Sequence, residues 1–120
     1  MMKMKATTHI AAALCMAALA YSQCASAAVD ASAAEALAKK EGCLKCHGID
    51  KAKEAKSFKE IATKFKGKPD AETNAKILTH LTTGPKVKLE DGTEEDHKIL
   101  KTKDKAEIDN LIAWLRAQAK

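Results

Sequence analysis

Five consecutive residues, Cys43-Leu44-Lys45-Cys46-His47, carry the chemistry of this 120-residue chain. Two thiols three positions apart can each bond one vinyl group of the same porphyrin. The imidazole that follows at once is then held on one side of the iron. This is the attachment pattern of a single covalent c-type haem, with Cys43 and Cys46 as thioether donors and His47 as the proximal ligand. Two other chemistries fit less well. A thiol oxidoreductase built on Cys-x-x-Cys expects a βαβ setting that this sequence lacks. A zinc site would crowd the adjacent Cys46 and His47 into one tetrahedron.

The start of the chain reads as an address. Lys3 and Lys5, an apolar run over 10–20 and the small residues Ala25-Ser26-Ala27 are the three parts of a secretory signal. Cleavage is predicted to remove 1–27 and leave 28–120 as one domain. The apolar run is too short for a membrane span, and no later stretch qualifies. Tyr21-Ser22-Gln23 is a poor match to the sequence that precedes a lipid-anchored cysteine, which argues against Cys24 in that role. An exported, soluble protein of a bacterial periplasm is expected.

Removing the leader changes the composition. Cys15 and Cys24 leave with it, so only Cys43 and Cys46 remain and no disulfide framework is expected. All four methionines (Met1, Met2, Met4, Met16) leave as well. Lys3 and Lys5 are the only charges lost, so 19 Lys/Arg face 16 Asp/Glu, and two haem propionates would nearly cancel that excess. Such a balance excludes nucleic-acid binding on charge. Phe58, Phe65 and Trp114 are the only aromatics left, a thin core for a domain of this size, and a buried porphyrin would supply the missing apolar volume.

Helical signals surround the motif. Ser32 and Glu35 form a capping-box pattern for a helix over 32–40 that stops near Gly42, and Ser57 and Glu60 form a second. Phe58, Ile61, Ala62 and Phe65 then recur at helical spacing until Gly67-Lys68-Pro69. Asp70 caps a third helix over 70–82, with Asn74, Ile77, Leu78 and Leu81 on one face, ended by Gly84-Pro85. Asp104 and Glu107 open the last helix, whose stripe is Ile108, Leu111, Ile112 and Leu115. The segment 50–56 reads as a loop. The 17 residues 86–102 read as a long irregular segment with a turn at Asp91-Gly92, a length that suggests function or a bound cofactor. The fold class is all-α, about four helices wrapped around one haem.

On these residues the chain resembles a class I c-type cytochrome of the small bacterial monohaem type. Lys39-Lys40-Glu41-Gly42-Cys43, Phe65-Lys66-Gly67-Lys68 and Leu111-Ile112-Ala113-Trp114-Leu115 are similar to that family's approach to the motif, middle helix and last helix. The resemblance implies electron transfer without enzymatic activity. It implies a close crossing of the first and last helices near Gly42, with Trp114 against it. The chain departs from the family twice. The family usually supplies an axial methionine before the last helix, and 28–120 contains none. The family also usually has a proline whose carbonyl accepts the proximal N–H, where this chain reads Ala55-Lys56-Ser57-Phe58.

Two other histidines follow the predicted leader. His97 lies fifty residues after His47, where the family's methionine would be, and Ile99 and Leu100 could hold its segment on the porphyrin. His97 is the expected distal ligand. His80 points about 110° away from the apolar face assigned to its helix, at about 100° per residue, which makes it a half-exposed surface residue. His80, Lys86, Lys88, Lys98 or an open five-coordinate iron are the alternatives. A second imidazole donates more strongly than a thioether and favours ferric iron, and Glu90, Asp91, Glu94, Glu95 and Asp96 lean the same way, so a low potential is expected. Redox proteins are the expected partners of a monomer, docking near Lys39, Lys40, Lys45, Lys86 or Lys88. The competing reading is a gas-ligand sensor in which the loop histidine is displaced. A small haem enzyme with His97 as distal acid–base group is a third.

Overall fold

The computed structural model describes residues 28–119; the predicted leader, 1–27, lies outside the described residues. Five helices and one hairpin follow in order: α1 (Ala31–Lys40), α2 (Cys43–Cys46), α3 (Phe58–Lys64), α4 (Asp70–Thr83), β1 (Lys86–Lys88), β2 (Glu94–Asp96) and α5 (Lys105–Arg116). The helical architecture is the expected one, with two additions. The Cys-x-x-Cys run is itself one helical turn, and the supposedly irregular segment before α5 contains an antiparallel pair with Val87 opposite Glu95. Strands of three residues are too short to display a period of two. Gly92, at φ 86°, completes the turn between them.

The first helix begins earlier than its capping-box pattern implies. Asp30 is extended and its carboxylate accepts the Ala33 N–H at 3.0 Å, so it satisfies the free end before Ser32 can. Asn110 fixes this corner to α5: it accepts the Asp30 N–H and donates to the Asp30 carbonyl, both at 2.9 Å. Helices α1 and α5 pack together, and α1 buries Ala34, Leu37 and Ala38. Ala34 and Ala38, one turn apart, are the small residues on its buried face. Gly42 does not make the close approach that the resemblance implied. Its φ of 81° makes it the left-handed residue that ends α1, and a Cβ there would meet only Lys98 Nζ, at 3.4 Å.

Helix α3 opens on the expected capping box, with the Ser57 hydroxyl accepting the Glu60 N–H and the Glu60 carboxylate accepting the Ser57 N–H. Helix α4 differs in two ways. Pro69 occupies the N-cap position, and Asp70 sits in the first turn, paired with Arg116 of α5. The buried face is Thr73, Ile77 and Leu81, whereas Leu78 is 41% exposed and Asn74 accepts a hydrogen bond from Arg116 at 3.0 Å. The face is thus turned by about 50° from the expected one, and His80 lies about 60° from its centre instead of about 110°. One apolar cluster joins α1, α3, α4, Leu100 and α5. The cavity described next lies against it.

Candidate haem site

The proximal wall is built from adjacent residues. Gly42 turns the chain from α1 into α2, so Cys43 and Cys46 fall on one helical turn, and His47 leaves it in extended conformation. His47 Nδ1 lies 2.6 Å from the Lys56 carbonyl. A carbonyl only accepts, so Nδ1 carries the proton and Nε2 is left with the lone pair a metal needs. Lys56 therefore does the work usually done by the family's proline. The His47 ring stacks on Phe58 at 5.2 Å, and Phe58 meets Trp114 edge-on at 5.5 Å, so α3 and α5 together fix the imidazole. The loop between α2 and α3 folds back onto the motif: Ala55 N–H donates to the Cys46 carbonyl and Phe58 N–H to the Gly48 carbonyl. A Cβ on Gly48 would lie 2.0 Å from the Lys51 carbonyl, so only glycine fits there.

The distal wall is assembled from distant parts. His97 follows β2, and its N–H donates to the Pro85 carbonyl at 2.9 Å. Leu100 N–H donates to the Leu81 carbonyl at 2.9 Å, and the Leu100 side chain is buried. The Glu41 carboxylate, at the end of α1, accepts the N–H groups of Lys101 and Thr102 at 2.8 and 3.1 Å. Gly84 permits this docking, because a Cβ there would stand 2.9 Å from the His97 carbonyl. Glu90 N–H donates to the Glu54 carbonyl, which ties the hairpin to the proximal loop. His97 Nδ1 lies 2.8 Å from the Lys98 carbonyl, which again leaves Nε2 free.

Between the walls lies a cavity of about 410 Å³ lined by Cys43, Cys46, His47, His80, His97 and apolar side chains including Phe58, Phe65, Leu81 and Leu115. The ring centres of His47 and His97 are 6.2 Å apart. His80 is exposed yet also faces this cavity, with its ring 4.4 Å from that of His97 and tilted 65° to it. Burial lowers the pKa of both His80 and His97 from the ordinary histidine range, which favours the neutral, ligating form. Among the candidate lysines, Lys88 and Lys98 line the cavity, whereas Lys86 pairs with Asp96 across the hairpin at 3.3 Å.

The donor set fits a porphyrin and its iron. Both cysteines are free and open onto the cavity. Burial raises the Cys43 thiol, and burial with the Glu54 carboxylate raises that of Cys46. A thiol oxidoreductase needs the opposite shift. Among the described residues no group of three or more His, Cys, Asp or Glu is arranged to hold a bare metal ion. A haem iron needs at most two ligands from the protein. Sequence reasoning missed the Lys56 and Lys98 carbonyls, which as backbone groups leave no side-chain signal, and Glu41, whose partners lie 60 residues away.

Comparison with known proteins gives the same answer. The family model of Cytochrome c matches residues 31–119. The crystal structure of the class 1 cytochrome MtoD from Sideroxydans lithotrophicus ES-1 superposes with a TM-score of 0.72 at 42% identity, covering 78% of this chain and 100% of that one. No curated protein matches. The chain belongs to the cytochrome c family, as an electron-transfer protein with covalently bound haem c and its iron.

Proposed function

We propose that this protein is a monomeric periplasmic electron carrier, exported by residues 1–27, in which Cys43 and Cys46 hold the haem and His47 and His97 ligate its iron. The 6.2 Å separation of the two rings across the cavity carries this reading. A ligating nitrogen lies about 2.0 Å from a first-row metal ion and the ring centre about 1.2 Å further, so two opposed imidazoles would be about 6.4 Å apart. Both Nδ1 atoms are already engaged by backbone carbonyls, as a ligating histidine requires. Methionine is absent from 28–120, which removes the usual competitor.

The bound haem would supply a one-electron ferric–ferrous couple. The polypeptide holds both imidazoles in fixed positions, so the same ligands serve both oxidation states and little reorganisation accompanies transfer. Most of the cavity surface is apolar. Two imidazoles set the potential below that of methionine-ligated relatives. The acidic residues of the hairpin are exposed, so their electrostatic contribution is screened and smaller. Lys40, Lys45 and Lys88 are exposed and available to a redox partner; Lys39 and Lys86 each already pair with a carboxylate. A sensor with a displaceable histidine is disfavoured because the Pro85, Leu81 and Glu41 contacts hold down the segment that carries His97.

Absorption and EPR spectra of both oxidation states, with and without carbon monoxide, test the reading on wild type, His97→Ala and His80→Ala. Low-spin iron in wild type and His80→Ala, resistant to carbon monoxide in wild type and readily open to it in His97→Ala, is the expected result. High-spin wild-type iron would refute it, as would retention of both imidazoles in His97→Ala.

A further inference from the structure

His80 has no part in the pair of ligands just assigned, yet its ring touches one of them. It sits on α4, whose buried face is packed in the core through Thr73, Ile77 and Leu81, whereas His97 sits on an extended segment between β2 and α5. The two ring centres are 4.4 Å apart with planes 65° apart, a close edge-to-face contact. His97 is otherwise oriented through the carbonyl of its own neighbour Lys98, which moves with the same segment. His80 meets that ring from a helix. His80 lines both the cavity and an outer groove formed with Glu72, Thr79, Thr83 and Pro85.

We propose that His80 is a positioning residue for the distal imidazole: as a fixed ring on α4 it sets the plane of His97 and keeps it on the iron. The proposal rests on ligation by His97 and adds what governs it. An unsupported His97 ring would sample several planes. The relative orientation of two axial imidazoles determines the g anisotropy of low-spin ferric iron, so loss of the support would move and broaden that signal. Loss of one aromatic contact would also make the iron about two- to tenfold more accessible to an external ligand such as cyanide.

The test uses the haem-loaded protein as wild type, His80→Ala and His80→Phe, with ferric EPR and cyanide titration on each. His80→Ala is expected to stay low-spin with a shifted, broadened largest g value and about two- to tenfold tighter apparent cyanide binding. His80→Phe, which keeps a ring in place, is expected to restore both readouts to wild type. A His80→Ala protein matching wild type in both would overturn the positioning role, as would His80→Phe behaving like His80→Ala. Conversion of His80→Ala to high-spin iron would overturn it too, since His80 would then itself be the ligand. Failure of the underlying ligand assignment is seen separately, as a wild-type spectrum without two imidazoles.

Discussion

On the proximal side, two thiols and an imidazole lie within five residues, and the loop behind them returns to the same turn of helix through the Lys56, Cys46 and Gly48 carbonyls. On the distal side, His80 and His97 come from a helix and an extended segment, joined by contacts to Pro85, Leu81 and Glu41. The first wall is local, and the proposed attachment cysteines belong to it. The second is a tertiary assembly of separate contacts. The proximal side should therefore fail all at once, and the distal side by degrees.

The largest effect belongs to the proximal wall. Replacing both Cys43 and Cys46 by alanine should abolish covalent haem, read as loss of haem staining on a denaturing gel. The domain should also become far less stable, because its core is short of aromatic volume without the porphyrin. Haem staining that survives in the double variant would show that the motif is not the attachment site. Next comes His97→Met, which exchanges an imidazole for a thioether and should raise the midpoint potential by on the order of 100 mV, within the span of about 0.8 V that axial ligands cover. A potentiometric titration reads this directly, and an unchanged midpoint would mean that His97 is not bound to iron.

Glu41→Ala acts on the distal side, from the rim of the cavity. It leaves the Lys101 and Thr102 N–H groups without their acceptor, at a cost of about 1–2 kcal/mol after allowance for solvent exposure. Carbon monoxide binding to the ferrous protein should become about tenfold easier, whereas thioether attachment should be unchanged. Equal damage to both sides would erase the distinction between them.

Acid should separate the two sides as well. Burial holds His80 and His97 below the usual histidine range, so the folded chain binds fewer protons there than the unfolded chain. Their contribution to stability is present above the unfolded pKa of about 6.5 and is lost as pH falls through the folded values. A pH titration followed by absorption should show high-spin iron appearing before global unfolding, which the Trp114 fluorescence reports. Coincident transitions would argue against a distal wall that yields first.

The smallest effect lies beneath the distal wall. The Thr73 hydroxyl is buried without a partner on α4, so Thr73→Val should leave the potential unchanged and be neutral or stabilising by about 1 kcal/mol in thermal unfolding. A loss of stability would reveal an undetected partner for that hydroxyl.

The same contrast explains what could be read in advance. Cys43, Cys46 and His47 are legible because adjacency in sequence fixes adjacency in space. The Ser57–Glu60 box and the α5 stripe are legible for the same local reason. The face of α4 was misread because Leu78 is apolar yet exposed, while Thr73 is polar yet buried. With Asn74 also outside, three residues cross that boundary, and His80 becomes a neighbour of His97 instead of an outward-facing side chain. The hairpin escaped notice because a three-residue strand carries almost no pattern, and Asp30 displaced Ser32 because two good caps lay within one turn. Backbone carbonyls and contacts spanning 60 residues leave no trace in composition.

Nitrogen NMR of the ferrous, haem-loaded protein labelled with ¹⁵N-histidine tests the central claim most directly, because 28–120 contains only His47, His80 and His97. Two rings should show iron-bound Nε2 with a protonated Nδ1, and one should show a free imidazole whose signals vanish in His80→Ala. A spectrum with a single coordinated ring, or one in which His80→Ala removes a coordinated ring, would contradict closure of the iron by His47 and His97.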